Sequence, residues 1–130
     1  MKSELSSGEW TLMNQLWDAP YSTITELTNA LREATGWGKH TILSMLSRLE
    51  GKGAAAYREG TRAKEFYAVL SREDAVRREA ARFLGTICGG SPSRMARAIA
   101  DALGLSASDA AELAAILADG TASDWEKAAQ

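Results

Sequence analysis

The 130-residue sequence predicts a mainly α-helical fold with one small β-hairpin. Three observations lead to this prediction. Apolar residues recur at spacings of three and four along most of the chain, and glycine and proline interrupt these segments at short intervals. One stretch near the middle shows the alternation of side chains that is typical of β-strands. Hydrophobic residues make up 45% of the chain and charged residues 25%, which is the balance of a folded globular protein.

The first two helices each begin at a capping box, in which a hydroxyl and a carboxylate three residues later satisfy free amides at the helix start. Ser6 pairs with Glu9 in the first helix, and Thr23 pairs with Glu26 in the second. Pro20 ends the first helix. The apolar residues that follow the two boxes are Trp10, Met13, Leu16 and Trp17, then Ile24, Leu27 and Leu31.

A third helix is predicted from about Lys39 to Lys52, with Gly53 at the position that follows its C-terminal cap. Two strands come next, around a turn that contains Gly60. Three helices followed by a hairpin is the element order of a winged helix-turn-helix domain, which we assign to residues 1–70. The inward residues of the third helix are Ile42, Met45, Leu46 and Leu49.

Three more helices are predicted in residues 71–120, with caps at Ser71, Ser91 and Ser106. Three short helices cannot easily bury their apolar stripes by themselves, so we expect a second copy of the chain to cover them. This segment is therefore predicted to be a helical dimerisation domain, followed by a flexible tail at 121–130. The expected dimerisation residues are Val76, Phe83, Leu84, Ile87, Met95, Ile99, Leu103, Leu113, Ile116 and Leu117.

Several function classes find no support in the sequence. Cys88 is the single cysteine and His40 the single histidine, too few for a disulfide, a multi-thiolate zinc site or a His-based metal centre. Nucleotide-binding glycine loops and metalloprotease or hydrolase motifs are also missing. We therefore expect no enzyme, no cofactor and no metal site. We expect Cys88 to be a buried, inert thiol, with a redox sensor as the alternative.

The sequence also lacks an apolar run long enough to span a membrane, and its start lacks a signal-peptide core. We therefore expect a cytoplasmic protein that does not associate with membranes.

Positive charge is concentrated in one part of the chain. Between Arg32 and Lys64 there are seven Lys and Arg against three Asp and Glu, a local net of +4 in a chain whose total is -2. Such a cluster is the electrostatic footprint expected of a domain that contacts nucleic acid over a limited surface. An ordinary solvated helix face is the alternative explanation.

In a helix-turn-helix the second helix lies in the major groove of DNA, and its outward residues meet the base edges. The predicted reading residues are Lys39, His40, Thr41, Leu43, Ser44, Ser47 and Arg48. Residues on the hairpin and its flanks are expected to contact the DNA backbone: Trp37, Lys52, Arg58, Arg62 and Lys64. Charges on a hairpin also discourage strand pairing between molecules, which is a second explanation for the hairpin cations.

Residues 37–53 resemble the signature of the penicillinase repressor family. The positions that match are Trp37, Thr41, Ile42, Leu46, Arg48, Leu49, Lys52 and Gly53. The likeness extends over residues 4–118. It includes Glu9 and Trp10 in the first helix and the stretch from Arg58 to Gly60 in the hairpin.

The resemblance implies a homodimeric winged-helix repressor whose N-terminal domain binds a palindromic DNA operator and whose C-terminal helices dimerise. It also implies groove contacts at His40, Thr41, Leu43 and Ser44, and contacts to the DNA backbone at Arg58 and Arg62. Leu43 stands where the family often has a polar or basic residue, so the operator is expected to differ from the usual one.

The resemblance further implies a sensor or protease partner that releases the repressor from DNA. Family members that control β-lactam resistance are cleaved at an Asn-Phe bond, and the corresponding pair here is Ala98-Ile99. Cleavage at this bond is therefore not expected. Copper-responsive members carry a cysteine cluster that this chain lacks. Two other functions are compatible with the fold: a winged-helix protein-interaction module, and a regulator that senses a small ligand.

Overall fold

The computed structural model describes residues 4–119, in which six helices and one antiparallel hairpin confirm the predicted winged-helix fold class. The predicted tail at 121–130 lies outside the described residues. In chain order the elements are α1 (Ser7–Asp18), α2 (Ile24–Thr35), α3 (Lys39–Gly51), β1 (Ala55–Glu59), β2 (Lys64–Ala68), α4 (Arg72–Thr86), α5 (Pro92–Leu103) and α6 (Ala107–Asp119).

Both predicted capping boxes are present. At the start of α1 the Ser6 amide donates to Glu9 Oε1 at 2.9 Å, and the Glu9 amide donates to Ser6 Oγ at 3.2 Å. Thr23 and Glu26 make the same pair of bonds at the start of α2, at 2.9 and 3.1 Å. Gly53, with φ at +77°, adopts the left-handed conformation just after the C-terminal cap of α3, as predicted.

The core of the N-terminal part of the chain lies between α1, α2, α3 and the hairpin. The predicted inward residues of α3 are confirmed, since Ile42, Leu46 and Leu49 are fully buried and Met45 packs against them. Trp10 and Trp17 meet edge to face, with ring centroids 5.9 Å apart. The other buried core residues are Leu12, Met13, Leu16, Leu27, Leu31, Ala54, Ala55 and Phe66.

The hairpin gains a third, one-residue strand from the loop between α1 and α2. Ser22 and Phe66 exchange backbone hydrogen bonds of 3.0 and 2.8 Å, which ties this loop to β2. Within the hairpin the register runs from Ala55 opposite Ala68 to Glu59 opposite Lys64. The extra strand was not predicted, because a single residue next to a helix cap is too short to show an alternating pattern.

A buried ion pair connects the start of α1 to the end of α3. Glu9 is 1% exposed, and its Oε1 lies 2.5 Å from Lys52 Nζ, which also donates to the Glu4 carbonyl at 2.7 Å. Burial acts to raise the pKa of Glu9, but the hydrogen bonds from Lys52 and Ser6 and the positive charge of Lys52 act to lower it. The net result is a pKa below the ordinary value of 4.5.

The chain divides into two compact units, an N-terminal unit that ends at Arg82 and a C-terminal unit that begins at Phe83. This division falls later than the predicted domain boundary at residue 70. The first part of α4 also has contacts with the N-terminal unit: Arg72 Nη2 lies 3.0 Å from Asp18 Oδ1, and Arg82 Nε lies 3.6 Å from Glu4 Oε2.

The C-terminal unit exposes most of its apolar side chains. Cys88 is buried, as predicted, but α5 and α6 contain no buried residue in the chain taken alone. Hydroxyls cap the two helices as predicted, because Ser91 Oγ accepts from the Arg94 amide at 3.2 Å and Ser106 Oγ from the Asp109 amide at 3.0 Å. The large exposed apolar residues of this unit are Ile87, Ile99, Leu103, Leu113, Ile116 and Leu117.

Candidate nucleic-acid interface

Helix α3 presents one buried face and one polar, exposed face. Because a helix turns every 3.6 residues, burial of Ile42, Leu46 and Leu49 directs the opposite side of the helix to solvent. Leu43 is 44% exposed, which leaves its side chain free to meet an apolar group. The seven residues predicted to read bases are all exposed: Lys39, His40, Thr41, Leu43, Ser44, Ser47 and Arg48.

The short connection from α2 fixes the start of α3. Gly36 ends α2 in the left-handed conformation, with φ at +72°, and Gly38 begins α3 without a side-chain cap. The first amides of α3 therefore have no side-chain acceptor, and the positive end of the helix dipole lies beside Lys39. A phosphate group is a suitable acceptor for amides in this position.

Gly8 lies where α1 approaches α3. A Cβ atom placed on Gly8 would lie 2.7 Å from Met45 Cε and 3.5 Å from the ring of Trp37, so a side chain there would displace the flexible end of Met45 while Trp37 stays in ordinary contact. Sequence reasoning missed this residue, since a glycine in the first turn of a helix resembles an ordinary helix start.

Trp37 is placed as a packing residue. Its ring is half-buried against the core, and its amide donates to Thr35 Oγ1 at 3.1 Å. This hydrogen bond uses the main-chain amide and not the indole N–H, so the contact to the DNA backbone predicted for Trp37 stays a prediction.

Lys52 likewise has a different position from the one predicted. The sequence placed it at the DNA backbone, but its ammonium group binds the carboxylate of Glu9 and the carbonyl of Glu4. Releasing it to a phosphate would leave the buried Glu9 carboxylate without its counter-ion. We therefore leave Lys52, whose side chain is 21% exposed, out of the proposed interface.

Within the hairpin, which we call the wing (residues 55–68), Arg58 and Lys64 contact other wing or loop residues. Arg58 Nε donates to Glu65 Oε1 at 2.8 Å, and its guanidinium lies 3.7 Å from the ring centre of Tyr21. Lys64 Nζ lies 4.2 Å from the ring centre of Tyr57. These two cations are thus held in place by the protein.

Arg62, in the turn of the wing, is exposed and makes no hydrogen bond or ion pair within residues 4–119. Of the three predicted wing cations it is the one best placed to take a phosphate partner.

Tyr21 contacts the wing, and no sequence pattern predicted this role. It adopts the left-handed backbone conformation, with φ at +64°, which costs about 1 kcal/mol for a residue with a side chain. The Tyr21 ring lies 5.2 Å from that of Tyr67 and stacks beneath Arg58, and these contacts offset the backbone cost. In the sequence it is simply a residue in a loop after Pro20, with no pattern to distinguish it.

Over residues 4–119 no group of three or more His, Cys, Asp and Glu side chains comes together in a way that could hold a metal ion. Over the same residues no helix has both the length and the apolar character needed to cross a bilayer.

Comparison with known proteins gives a consistent family match. A family model described as penicillinase repressor matches residues 5–119. The methicillin resistance regulatory protein MecI of Mammaliicoccus sciuri is 23% identical over 87 residues, which cover 67% of this chain and 71% of that protein. The MecI protein of Staphylococcus aureus strain N315 shows the same identity and coverage.

Two solved structures share the fold of the N-terminal unit. The DNA-binding domain of the repressor BlaI, solved in solution, has a TM-score of 0.50 and 26% identity, covering 57% of this chain and 93% of that domain. The monomeric form of Bacillus licheniformis BlaI in complex with the blaP half-operator has a TM-score of 0.50 and 24% identity. The match covers 57% of this chain and 90% of that chain. At this identity the second likeness concerns the fold alone.

Proposed function

Because this chain belongs to the penicillinase repressor family, whose members are DNA-binding transcriptional repressors, we propose that it represses transcription by binding a palindromic operator as a homodimer. The observation that carries the proposal is the outer face of α3, where all seven predicted reading residues are exposed beside a buried core face. A helix of this kind fits the major groove of DNA.

Each part of the interface has an assigned partner on DNA. Thr41 and Ser44 can donate to or accept from base edges, and Leu43 can contact the methyl group of thymine. The first amides of α3, Arg48 near its end and Arg62 in the wing suit phosphates, which position the domain without reading sequence. His40 and Ser47 lie on the same exposed face as Ser44 and complete the reading surface.

The exposed apolar residues of α5 and α6 support the homodimer. Leu103 and Leu117 are 68% and 70% exposed in the single chain. Apolar surface of this extent is typical of an interface with a partner subunit. A two-fold dimer would present two copies of α3 to two half-sites, which is why the operator is proposed to be palindromic.

Sequence preference is expected to depend on Thr41 and Ser44. Thr41→Ala and Ser44→Ala should each weaken discrimination at one base pair of a half-site by about 1–3 kcal/mol, because a hydrogen bond to a base edge is lost. Selection of bound sequences from a random DNA pool, followed by competition binding, measures the discrimination between base pairs. Ser93→Ala removes a hydroxyl outside α3 and serves as the matched control. Unchanged preference in both α3 variants would contradict the assignment.

Affinity for all sequences is expected to depend on Arg62. Arg62→Ala should weaken binding uniformly and lower the slope of log K against log salt concentration by about one, because one phosphate contact is lost. Arg58→Ala should change the slope less, since the Arg58 guanidinium is already paired with Glu65. Arg97→Ala removes an exposed charge from α5 and controls for net charge. An altered base preference with an unchanged slope would show that the wing reads bases.

The experiment that tests the function as a whole is the sequencing of genomic fragments retained by the purified protein. We expect enrichment of one inverted repeat and a steep fall of affinity with salt. Fragments without a common sequence, bound with no salt dependence, would favour the second candidate, a protein-interaction module that has lost DNA binding.

Release from DNA is proposed to follow a route other than cleavage between Ala98 and Ile99. This bond lies inside α5, where the backbone is held by helical hydrogen bonds, so a protease acting there would first have to unfold the helix. A sensor or protease partner acting elsewhere in the chain, or a small ligand, would then serve as inducer. As a DNA-binding repressor the protein is proposed to act in the cytoplasm.

A further inference from the structure

The positive charge of Arg58 is neutralised inside the wing by Glu65. The two residues stand directly opposite each other in the register of β1 and β2, and Arg58 Nε donates to Glu65 Oε1 at 2.8 Å. The side chain of Glu65 is only 25% exposed, so water and salt screen this pair less than they screen a pair on an open surface. The cation and the carboxylate therefore act on their surroundings as a nearly neutral unit.

The carboxylate of Glu65 also lies against the turn of the wing. A Cβ atom placed on Gly60 would lie 2.7 Å from Glu65 Oε2, while Oε1 of the same carboxylate holds Arg58. Arg62, which is proposed to contact a phosphate, stands exposed in this turn. A negative charge is thus located in the part of the wing that approaches DNA in the proposed complex, where it opposes binding.

Apart from this neutralisation, the guanidinium of Arg58 is well suited to a phosphate. It lies 3.7 Å from the ring centre of Tyr21, a stacking contact that fixes its plane, and the Arg58 side chain is 56% exposed. Within residues 4–119 only its Nε donates a hydrogen bond, which leaves the donors on Nη1 and Nη2 open. An oriented guanidinium with open donors can bind a phosphate through two parallel hydrogen bonds.

We propose that Glu65 limits the affinity of this protein for DNA, because it neutralises Arg58 and places a carboxylate near the phosphates that the wing meets. The inference rests on the proposed function, since it concerns the strength of the same interface. Phosphate contacts add affinity for every sequence and carry no information about bases. Glu65 would therefore lower the sequence-independent part of binding and leave the reading face of α3 unchanged.

An ordinary cross-strand pair that only stabilises the hairpin is the competing explanation. The two explanations differ in the sign of the effect on DNA binding. Removal of a purely structural partner would release Arg58 and weaken binding, whereas removal of a limiting charge would strengthen it. Glu65→Gln separates them, because the amide oxygen of glutamine can still accept from Arg58 Nε while the negative charge is gone.

The test is the binding of the full chain, over a range of salt concentrations, to a DNA duplex of random sequence and to the inverted repeat recovered by selection. Glu65→Gln should bind both duplexes roughly three- to tenfold more tightly at low salt, and the plot of log K against log salt concentration should become steeper by about one for each bound wing. Glu73→Gln makes the same change of charge at an exposed position of α4 and should leave both quantities unchanged.

A double-variant cycle assigns the gain to Arg58. In the Glu65→Gln background, Arg58→Ala should make the plot shallower by about one, against a smaller change in the parent background. An equal change in both backgrounds, or a Glu65→Gln variant that binds no more tightly than the parent, would overturn the proposal and leave the proposed function intact. A parent chain that binds neither duplex would overturn both. Because the expected result is a gain of affinity, partial unfolding of the variant cannot imitate it.

Discussion

Leu117→Glu is expected to convert the protein from a dimer to a monomer and to weaken operator binding by about 100- to 10,000-fold, because two linked half-site contacts become two independent ones. Leu117 is 70% exposed in the single chain, so the substitution leaves the packing within that chain intact. At a dimer interface, the same substitution would bury a carboxylate without a partner.

Light scattering at micromolar concentration measures the oligomeric state, and binding to full and half operators measures the affinity for DNA. Ala115→Glu is the matched control, because Ala115 is exposed on the same helix but lies about 160° around it from Leu117. The variant at Leu117 should lose affinity for the full operator and keep its affinity for a half-site. A parent chain that is monomeric at micromolar concentration would refute the dimer.

Lys52→Met is expected to lower the free energy of unfolding by about 3 kcal/mol, because it leaves the carboxylate of Glu9 buried without its counter-ion. Glu9→Gln combined with Lys52→Met should restore part of this loss, since no charge then remains at the site. Chemical denaturation of the parent, the single variant and the double variant measures the free energy of unfolding of each. Lys39→Met, on the exposed end of the same helix, is the control and should change stability by less than about 0.5 kcal/mol.

The same pair makes stability depend on pH in a definite direction. The pKa of Glu9 is lowered in the folded protein, so its contribution is present above the ordinary value of 4.5 and is lost as the pH falls through the lowered pKa. In Lys52→Met the charge and hydrogen bond that lower the pKa of Glu9 are gone and burial acts to raise it, so protonation of Glu9 then favours the folded state. The loss of stability in the variant should therefore be largest near neutral pH and shrink as the pH falls. A loss of stability that does not change with pH would show that Lys52 does not set the pKa of Glu9.

Local features of the fold could be predicted from the sequence because they depend on residues close together in the chain. The capping boxes that begin at Ser6 and Thr23 need only a partner three residues away. The inward face of α3 follows from the spacing of its apolar residues. The helices, and the exposure of the outer face of α3, could therefore be predicted from the sequence.

Features that join distant residues could not be predicted. Glu9 and Lys52 are 43 positions apart, and a lysine after a recognition helix shows nothing in sequence to distinguish an internal partner from a phosphate. The bridge between Ser22 and Phe66 and the stacking of Arg58 on Tyr21 also join residues that are far apart in the chain. The division after Arg82 lies inside α4, whose helical pattern continues without a break to Thr86, so no sequence signal marks it.

The attachment of the wing to the loop before α2 has a consequence for the entropy of association. A free hairpin would have to be ordered when it meets DNA, and each immobilised long side chain costs about 0.5–1.5 kcal/mol of the binding free energy. Here the bridge from Ser22 to Phe66 and the contacts of Arg58 with Tyr21 and Glu65 order the wing before any DNA arrives. The hairpin is thus preorganised, and most of that conformational cost is met during folding rather than at the operator.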